Sequence, residues 1–419
     1  MKIGKVTNIE TTSLEMPYTK PLVTATNNFT VARGILVKVI TEGGIEGYGY
    51  SDLFPRTGET PQTAQHVIDA VLKAKVVGKE LEDLPRIRSE IDHVLTGNPR
   101  AKAALDSAMY DALARAYHMP LFVMLGGKFR SEIRVIKMVS VGQPEAMAEE
   151  AKQLAREGLS LKLKVSGKIK KDLSRVAAVR NAVGDDAFIK IDANEAYDAK
   201  TAIRLAKGLA DHGVDIFEQP VPRDQIDALW EVKQHSPIKI EADQSCRNFA
   251  DAQMLIKNRI VDAINTGIAK AGSLVEVRRI AELCEQNGIR CALSNTAGSM
   301  VGDAAAVHLA AATPGISPLC ELGEFEVISG DPFFGLSVEK GRISVPDGEG
   351  LGVGLKNSEN PDGLKHKRKA ELISLARRSV ATTPICSWRR TPSWCSGSAH
   401  GTPGVQAFVN NITKKYLQR

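Results

Sequence analysis

Five ionisable residues recur along this chain at an interval that matches the length of one strand plus one helix. The gaps between them are 28, 26, 25 and 27 residues, and the residues in chain order are Lys164, Asp192, Glu218, Asp243 and Lys270. A strand, a helix and two short loops need about that length, so each gap predicts one βα unit. We therefore expect these five side chains at the same end of five consecutive parallel strands.

The strand–helix alternation begins near residue 133 and predicts an α/β fold. Barrel strands are predicted near 134–141, 160–165, 188–192, 214–218, 238–242, 261–265, 289–293 and 317–321. The clearest helices between them are 145–156, 171–183, 199–211 and 273–287. Eight such units with right-handed crossovers form a modified (β/α)8 barrel.

The first 130 residues have a different order, with strands before helices, which predicts a small α+β domain. Strands are expected in 1–16 and 31–50, separated by a polar loop at 18–28; a second loop follows at 54–58, and helices are expected at 60–77, 83–94 and 99–117. The predicted division is an N-terminal α+β domain (1–130), the barrel with the active site (131–321), a strand-rich return to the N-terminal domain (322–358) and a tail (359–419).

The excess of positive charge belongs to the predicted tail. Residues 359–419 hold 11 Lys/Arg and 3 Asp/Glu, whereas the other 358 residues hold 44 and 46. The basic, Ser/Thr/Pro-rich tail is predicted to be largely disordered, and a non-homologous extension explains it at least as well as a nucleic-acid-binding segment. We therefore do not expect the main body to bind nucleic acid.

No run in the sequence is long and apolar enough to predict a membrane span. The six cysteines are scattered without a CxxC pair, which argues against a disulfide framework and favours a reducing, cytoplasmic location. The oligomeric state is left open, since no residue establishes a homo-oligomer.

The predicted cluster of charges combines a candidate metal site with candidate acid/base residues. Carboxylates that converge repel one another unless a hard cation joins them, so Asp192, Glu218 and Asp243 form a predicted Mg²⁺ site. Lys164 and Lys270 flank this site from different strands and are the candidate acid/base residues. Lys162 alternates with Lys164 on one strand face and is a candidate electrostatic helper.

These residues resemble the enolase superfamily, and more narrowly its muconate-lactonizing subgroup, which includes dipeptide epimerases and N-acylamino acid racemases. The resemblance rests on the Lys-x-Lys strand, the three carboxylates and Lys270, and on supporting stretches at 44–49, 57–60, 103–111, 125–127, 191–194, 217–220 and 242–245. It covers residues 1 to about 358. It implies that the N-terminal domain caps the barrel and that bound Mg²⁺ stabilises an enediolate formed by loss of an α-proton.

The resemblance also implies that the loops at 18–28 and 54–58 close over the substrate. Candidate substrate-binding residues lie in the second loop and at the ends of barrel strands: Phe54, Thr57, Asn194, Ser294, Asn295 and Glu321. The chain departs from the dipeptide epimerases, which usually carry Asp-x-Asp after the eighth strand. Here that stretch contains Glu321 and Gly323, so Glu321 is left as the candidate to hold a substrate ammonium.

The predicted activity is Mg²⁺-dependent removal of the proton α to a small-molecule carboxylate. Two lysines on opposite sides suit racemisation or epimerisation, because one removes the proton and the other returns it from the opposite face. The expected substrate is an amino-acid derivative: a dipeptide, an N-acylamino acid or a proline-type acid. The open alternatives are a muconate-type cycloisomerase, an acid dehydratase, and an inactive barrel with a nucleic-acid-binding tail.

Overall fold

The structure, a computed structural model, describes residues 4–25, 27–54, 57–296 and 298–356. The predicted tail (359–419) lies outside these residues. None of the described helices is long and apolar enough to cross a membrane.

The N-terminal region is built on a three-stranded antiparallel sheet. Its strands are β1 (Val6–Val23), β2 (Asn28–Thr41) and β3 (Glu46–Asp52), in the order β1-β2-β3. Alternate residues of β2, such as Val37 and Val39, are completely buried, as expected for a sheet with one face on a core. The turn between β2 and β3 lies at the predicted glycine pair, where Gly44 has a positive φ of 73°.

The predicted polar loop at 18–28 is largely strand in the structure, so that prediction was wrong. β1 continues to Val23, and the pairs Leu22↔Phe29 and Val23↔Asn28 extend the β1–β2 hairpin beyond the sheet. The register shifts between Pro17 and Leu22, which is where prolines interrupt the ladder. Cross-strand pairing therefore orders a segment whose composition is typical of a loop.

Helices pack on this sheet and connect it to the barrel. They are α1 (Pro61–Val67), α2 (Lys73–Val76), α3 (Leu84–Val94), α4 (Pro99–Ala116) and α5 (Leu121–Met124), with a π-helical turn at Ile68–Leu72 and a 3₁₀ turn at Leu81–Asp83. α4 lies directly on β3, where a Cβ added to Gly49 would come within 2.0 Å of the Ala104 carbonyl oxygen. The glycines of β3 thus allow the closest approach of helix and sheet.

The barrel consists of eight parallel strands in the described part of the chain. They are β4 (Glu132–Val139), β5 (Ser160–Lys164), β6 (Ile189–Asp192), β7 (Ile216–Glu218), β8 (Lys239–Ala242), β9 (Ala263–Thr266), β10 (Arg290–Leu293) and β11 (Leu319–Cys320). Neighbouring strands pair in chain order, and β11 pairs with β4. Backbone hydrogen bonds between β10 and the β11 region complete the ring; for example, the Glu321 amide donates to the Leu293 carbonyl at 2.9 Å.

Helices follow the barrel strands and cover the outside of the ring. They are α6 (Pro144–Arg156), α7 (Ile169–Val183), α8 (Ala199–Ala210), α9 (Ile226–His235), α10 (Phe249–Lys257), α11 (Ile268–Ala271), α12 (Leu274–Gln286) and α13 (Met300–Ala312). In α8 the residues Ala202, Leu205, Ala206 and Leu209 are buried, a spacing that forms one helical face. The predicted modified (β/α)8 barrel with an N-terminal α+β cap is confirmed.

The segment after the barrel returns to the N-terminal region. It contains a 3₁₀ turn (Glu324–Val327) and the short strands β12 (Phe333–Phe334), β13 (Arg342–Ser344) and β14 (Gly354–Leu355). β13 pairs antiparallel with β4, and the Leu351 amide donates to Asp111 on α4 at 2.7 Å. The domain boundaries at 130, 321 and 358 stay predictions.

His308 is a completely buried histidine in the middle of α13. Its Nδ1 accepts a hydrogen bond from the Phe122 amide at 3.2 Å, and the two rings stack with centroids 5.7 Å apart. Burial lowers the pKa of His308 to about 4 from an ordinary value of 6.5. Between these two values the unfolded chain binds a proton that the folded chain does not, so stability falls as the pH drops.

We expect the wild type to lose about 2 kcal/mol more unfolding free energy between pH 7 and pH 5 than a His308→Gln variant. Glutamine keeps an acceptor for the Phe122 amide but cannot be protonated in this range. Urea denaturation at the two pH values measures the difference, with the exposed His93→Gln as the matched control. Equal losses in the wild type and His308→Gln would contradict the assignment.

Candidate active site

The topology places the two predicted acid/base lysines on opposite sides of the barrel. Lys164 is the last residue of β5, and Lys270 lies in α11, directly after β9. These strands are four positions apart in a ring of eight, so they face each other across it. Both lysines line one cavity of about 1020 Å³.

Asp192 ends β6, the strand next to Lys164. Its Oδ2 accepts a hydrogen bond from Lys164 Nζ at 2.6 Å and lies 2.9 Å from Lys162 Nζ. Its Oδ1 accepts from the Asn194 amide at 2.8 Å. Burial raises the pKa of Asp192, but the two ammonium groups outweigh burial and hold the pKa below its ordinary range. The carboxylate is therefore ionised and fixed in position.

Glu218 ends β7 and is completely buried. Burial, together with the nearby charges of Asp192 and Glu321, raises the pKa of Glu218 to about 8. Lys162 Nζ contacts it at 2.9 Å. Burial lowers the pKa of Lys162, but the surrounding carboxylates, Asp192 first, raise it well above its ordinary value. The carboxylates thus favour the charged form of Lys162, which agrees with the predicted electrostatic helper.

Asp243 follows β8 and faces Lys270. Lys270 Nζ donates to Asp243 Oδ1 at 2.6 Å and to the Asn265 carbonyl at 2.6 Å. The loop that carries Asp243 is held by Gln219, whose Oε1 accepts from the Asp243 and Ser245 amides at 3.1 and 3.0 Å. Gln219 has a positive φ of 35°, a conformation that costs energy for a side chain other than glycine. Its signals in the sequence were its position at a strand end and its place in the family-like stretch 217–220.

A second group of charges lies deeper in the barrel, and it adds Lys190, Glu241 and Arg290 to the predicted site residues Glu218 and Glu321. Lys190 is completely buried and its ammonium contacts Glu218 at 2.8 Å and also Glu241 and Glu321. Arg290 donates to Glu241 at 2.8 Å. The alternation of Lys190 with Asp192 and of Glu241 with Asp243 along their strands was the available signal, since residues two apart share a strand face.

Among the described residues, the one group of three acidic side chains whose oxygens lie close enough to share an ion is not the predicted Mg²⁺ set. Oxygen atoms of Glu218, Glu241 and Glu321 lie within 4.8 Å of one another, but the Lys190 ammonium already lies among them and balances their charge. Asp192 and Asp243, by contrast, line the open cavity, and Glu218 Oε2 is buried 2.8 Å from the ammonium of Lys190 and 2.9 Å from that of Lys162. Two carboxylates on the cavity wall, with Glu218 on the strand between them, fit Mg²⁺, which keeps positions for water or substrate.

The predicted substrate-binding residues all line the same cavity. Phe54 packs against Phe29, with ring centroids 5.9 Å apart, and Thr57 Oγ1 donates to the Phe54 carbonyl at 2.7 Å. Ser294 donates to the Thr266 carbonyl at 3.2 Å, and Asn295 donates to Asp303 at 3.2 Å. These contacts position the side chains at the cavity wall, and their roles in substrate binding stay predictions.

Asn194 and Glu321 have protein partners in the structure. Asn194 Oδ1 accepts from Lys164 at 3.0 Å. Glu321 Oε2 accepts from Lys162 at 2.6 Å, and its Oε1 accepts from Asn265 at 3.0 Å as well as from Lys190. Burial raises the pKa of Glu321, but Lys162 and Lys190 outweigh it and lower the pKa below its ordinary value. Both oxygens of Glu321 are therefore already used by the protein.

The sequence matches two family models that together span nearly the whole described chain. Residues 8–126 match the "Mandelate racemase / muconate lactonizing enzyme, N-terminal domain", and residues 146–359 match the "Enolase C-terminal domain-like" model. The L-Ala-D/L-Glu epimerase of Bacillus subtilis (strain 168) is 32% identical, over 83% of this chain and 96% of that protein. Muconate cycloisomerase 1 of Rhodococcus opacus is 31% identical, over 86% and 97%.

A solved structure shows the same architecture with a metal ion. The dipeptide epimerase of Enterococcus faecalis V583, described as complexed with Mg and the dipeptide L-Leu-L-Tyr, is 31% identical with a TM-score of 0.80, covering 84% of this chain and 99% of that one. The curated relatives are isomerases. The chain therefore belongs to the muconate-lactonizing subgroup of the enolase superfamily, and it is an isomerase of that group.

Proposed function

We propose that this enzyme racemises or epimerises an amino-acid derivative at the carbon next to its carboxylate, with Mg²⁺ as cofactor. The observation that carries the proposal is the placement of Lys164 and Lys270 on opposite walls of one cavity. A proton removed by one lysine and returned by the other reaches the opposite face of the carbon, which inverts its configuration. The epimerases among the relatives support this reaction.

Asp192, Glu218 and Asp243 are the residues that would hold Mg²⁺. When bound, Mg²⁺ supplies positive charge that favours a substrate carboxylate becoming more negative as the α-proton leaves. Lys162 adds a second fixed positive charge beside the carboxylates. Lys164 and Lys270 hold and move the proton, and a lysine must be neutral before it can accept one. Asn194 and Gln219 keep Asp192 and Asp243 in place.

A cycloisomerase is the second candidate, because a muconate cycloisomerase is 31% identical over 86% of this chain. That reaction needs one lysine to transfer a proton, while the second lysine only stabilises charge. The two candidates therefore differ in whether both lysines exchange protons with the substrate.

Proton exchange in D₂O separates these reactions. The protein is incubated with Mg²⁺ and dipeptides, N-acylamino acids, proline-type acids or cis,cis-muconate, and the products are followed by NMR and chiral chromatography. We expect deuterium at the α-carbon in both configurations of an amino-acid derivative. Lactone formation from muconate without such exchange would favour the cycloisomerase, and loss of water from an acid would favour a dehydratase.

A further inference from the structure

An ion pair between Glu195 and Arg223 lies beside the site, and the proposed reaction does not use it. Glu195 lies in the loop after β6, with only 8% of its side chain exposed, and Arg223 lies in the loop after β7. Arg223 Nε donates to Glu195 Oε1 at 2.9 Å, and Nη2 donates to Oε2 at 2.7 Å. The Arg223 amide also donates to Oε1, at 2.8 Å. One carboxylate therefore fixes both the side chain and the backbone of Arg223.

Hydrogen bonds extend this pair to the loop after β8. Ser245 Oγ donates to the Arg223 carbonyl at 2.9 Å and accepts from Gln219 Nε2 at 2.8 Å. Gln219 Oε1 in turn accepts from the amides of Asp243 and Ser245. Glu195, Arg223, Ser245 and Gln219 thus form one network, which we call the loop network. It joins the loops after β6, β7 and β8, the three strands whose ends carry the proposed metal-binding carboxylates.

The loop network holds backbone conformations that its side chains rarely adopt. Glu195 and Gln219 have positive φ angles of 71° and 35°, and Asn194 has one of 45°. The Glu195 amide donates to the Gln219 carbonyl at 3.0 Å, so the two residues support each other. A positive φ costs free energy for a residue other than glycine and persists only where the surrounding contacts enforce it. Such enforced strain beside a ligand site is typical of a geometry that is set in advance of binding.

The position of Asp243 depends on the loop network. Asp243 lies one residue beyond β8, and Gln219 holds its amide at 3.1 Å. Mg²⁺ requires oxygen ligands in a nearly ideal octahedron at about 2.0–2.1 Å, whereas Ca²⁺ accepts roughly six to eight ligands at longer distances in less regular arrangements. A network that holds Asp243 firmly relative to Asp192 therefore favours the smaller ion.

We propose that Glu195, Arg223 and Ser245 are positioning residues that make the metal site selective for Mg²⁺ over Ca²⁺. The proposal rests on the proposed function, in which Asp192 and Asp243 help to hold Mg²⁺. The three positioning residues bind one another and act on the metal only through the loops that they join. Weakening the loop network lets the carboxylates move apart, which lowers the affinity for Mg²⁺ more than the affinity for Ca²⁺.

Calorimetric titration with MgCl₂ and, separately, with CaCl₂ tests this role without substrate, so the result does not depend on activity. The wild type is compared with Glu195→Gln and Arg223→Gln, each of which removes one charge of the ion pair. We expect the affinity for Mg²⁺ to fall roughly tenfold or more in both variants, and the affinity for Ca²⁺ to fall about threefold or less. The ratio of the two dissociation constants is therefore the quantity that reports on positioning.

Lys233→Gln is the matched control. Lys233 is as exposed as Arg223, at 28% for each side chain, and it pairs with Asp262 at 2.6 Å. Asp262 directly precedes β9 and therefore lies at the opposite end of the barrel from the metal site. The control should lose an ion pair and keep the wild-type ratio of Mg²⁺ to Ca²⁺ affinity. Ser245→Ala removes only the bridging hydroxyl, so it tests the network in a milder variant with a change in the same direction.

Urea denaturation of every variant separates positioning from a purely structural role. Lower stability with an unchanged affinity ratio in Glu195→Gln, Arg223→Gln and Ser245→Ala overturns the proposal, as does an equal loss of affinity for the two ions. The same titrations separate this proposal from the proposed function. A wild type that binds Mg²⁺ while the variants keep its ion preference refutes the positioning role alone, whereas a wild type that binds no Mg²⁺ refutes the metal site as well.

Discussion

Replacement of Lys164 or Lys270 by methionine is expected to lower racemisation in both directions by roughly a thousandfold or more. Each complete inversion needs both lysines, because one takes the proton and the other returns it. Exchange of the α-proton needs only the lysine on the side where that proton lies. Each variant should therefore still exchange the α-proton of one enantiomer with D₂O and fail with the other, and the two variants should be complementary.

Two measurements on each pure enantiomer check this result: the change in optical activity and the appearance of deuterium by mass spectrometry. Lys239→Met serves as the control, since Lys239 lies exposed at the opposite end of barrel strand β8. Lys164→Met loses the contact with Asp192, and Lys270→Met loses the contact with Asp243. Circular dichroism and denaturation must therefore show that both variants are folded. If one variant stops exchange of both enantiomers while the other variant exchanges both, only one lysine transfers protons, and the racemase proposal is wrong.

The second large effect concerns the metal. Replacement of Asp192 or Asp243 by asparagine is expected to weaken Mg²⁺ binding by at least a hundredfold, since even residues that only support a metal ligand account for 10- to 100-fold in affinity. The activity of each variant should fall together with its Mg²⁺ affinity, at any Mg²⁺ concentration below the dissociation constant of that variant. Calorimetric titration with Mg²⁺ measures the affinity directly, and recovery of activity at high Mg²⁺ would connect the two effects.

Glu241→Gln is the decisive comparison, because it distinguishes the two groups of carboxylates that share Glu218. If Mg²⁺ binds beside the cavity, Glu241→Gln keeps most of its affinity and loses mainly stability, since Lys190 and Arg290 lose a buried partner. If Mg²⁺ instead binds deeper in the barrel, Glu241→Gln should abolish binding and Asp192→Asn should spare it. Chelation with EDTA should abolish activity in the wild type in either case.

The relation of sequence to structure differs between the barrel and the cap. The predicted barrel strands agree with the observed ones within two residues at every end, because buried parallel strands between helices give a strong periodic pattern. The cap hairpin was harder to predict. Its segment from Tyr18 to Val23 contains proline and polar residues, and it is held by pairs with distant residues, Leu22 and Val23 with the start of β2 and Tyr18 with Ile328. Such pairing between distant residues leaves no local periodic signal.

Within the site, the sequence by itself determined which strand ends carry the charged residues. The regular spacing from Lys164 to Lys270 is a property of consecutive βα units, and parallel strands bring their carboxyl ends to one edge. The two lysines follow strands that are four units apart in the sequence. In a closed ring of eight strands, two strands four units apart lie on opposite sides. These predictions needed no knowledge of individual contacts.

The tertiary structure decided which charges are paired and which are free. Lys190 meets Glu321 across 131 positions of sequence, and Lys162 meets the same acid across 159. These contacts exist only because the last strand closes the barrel against the first. They occupy Glu321, the acid predicted from its position to hold a substrate ammonium. The spacing of the strands determines at which end of the barrel a side chain lies. Its charge partners depend on packing between distant segments, which local sequence does not encode.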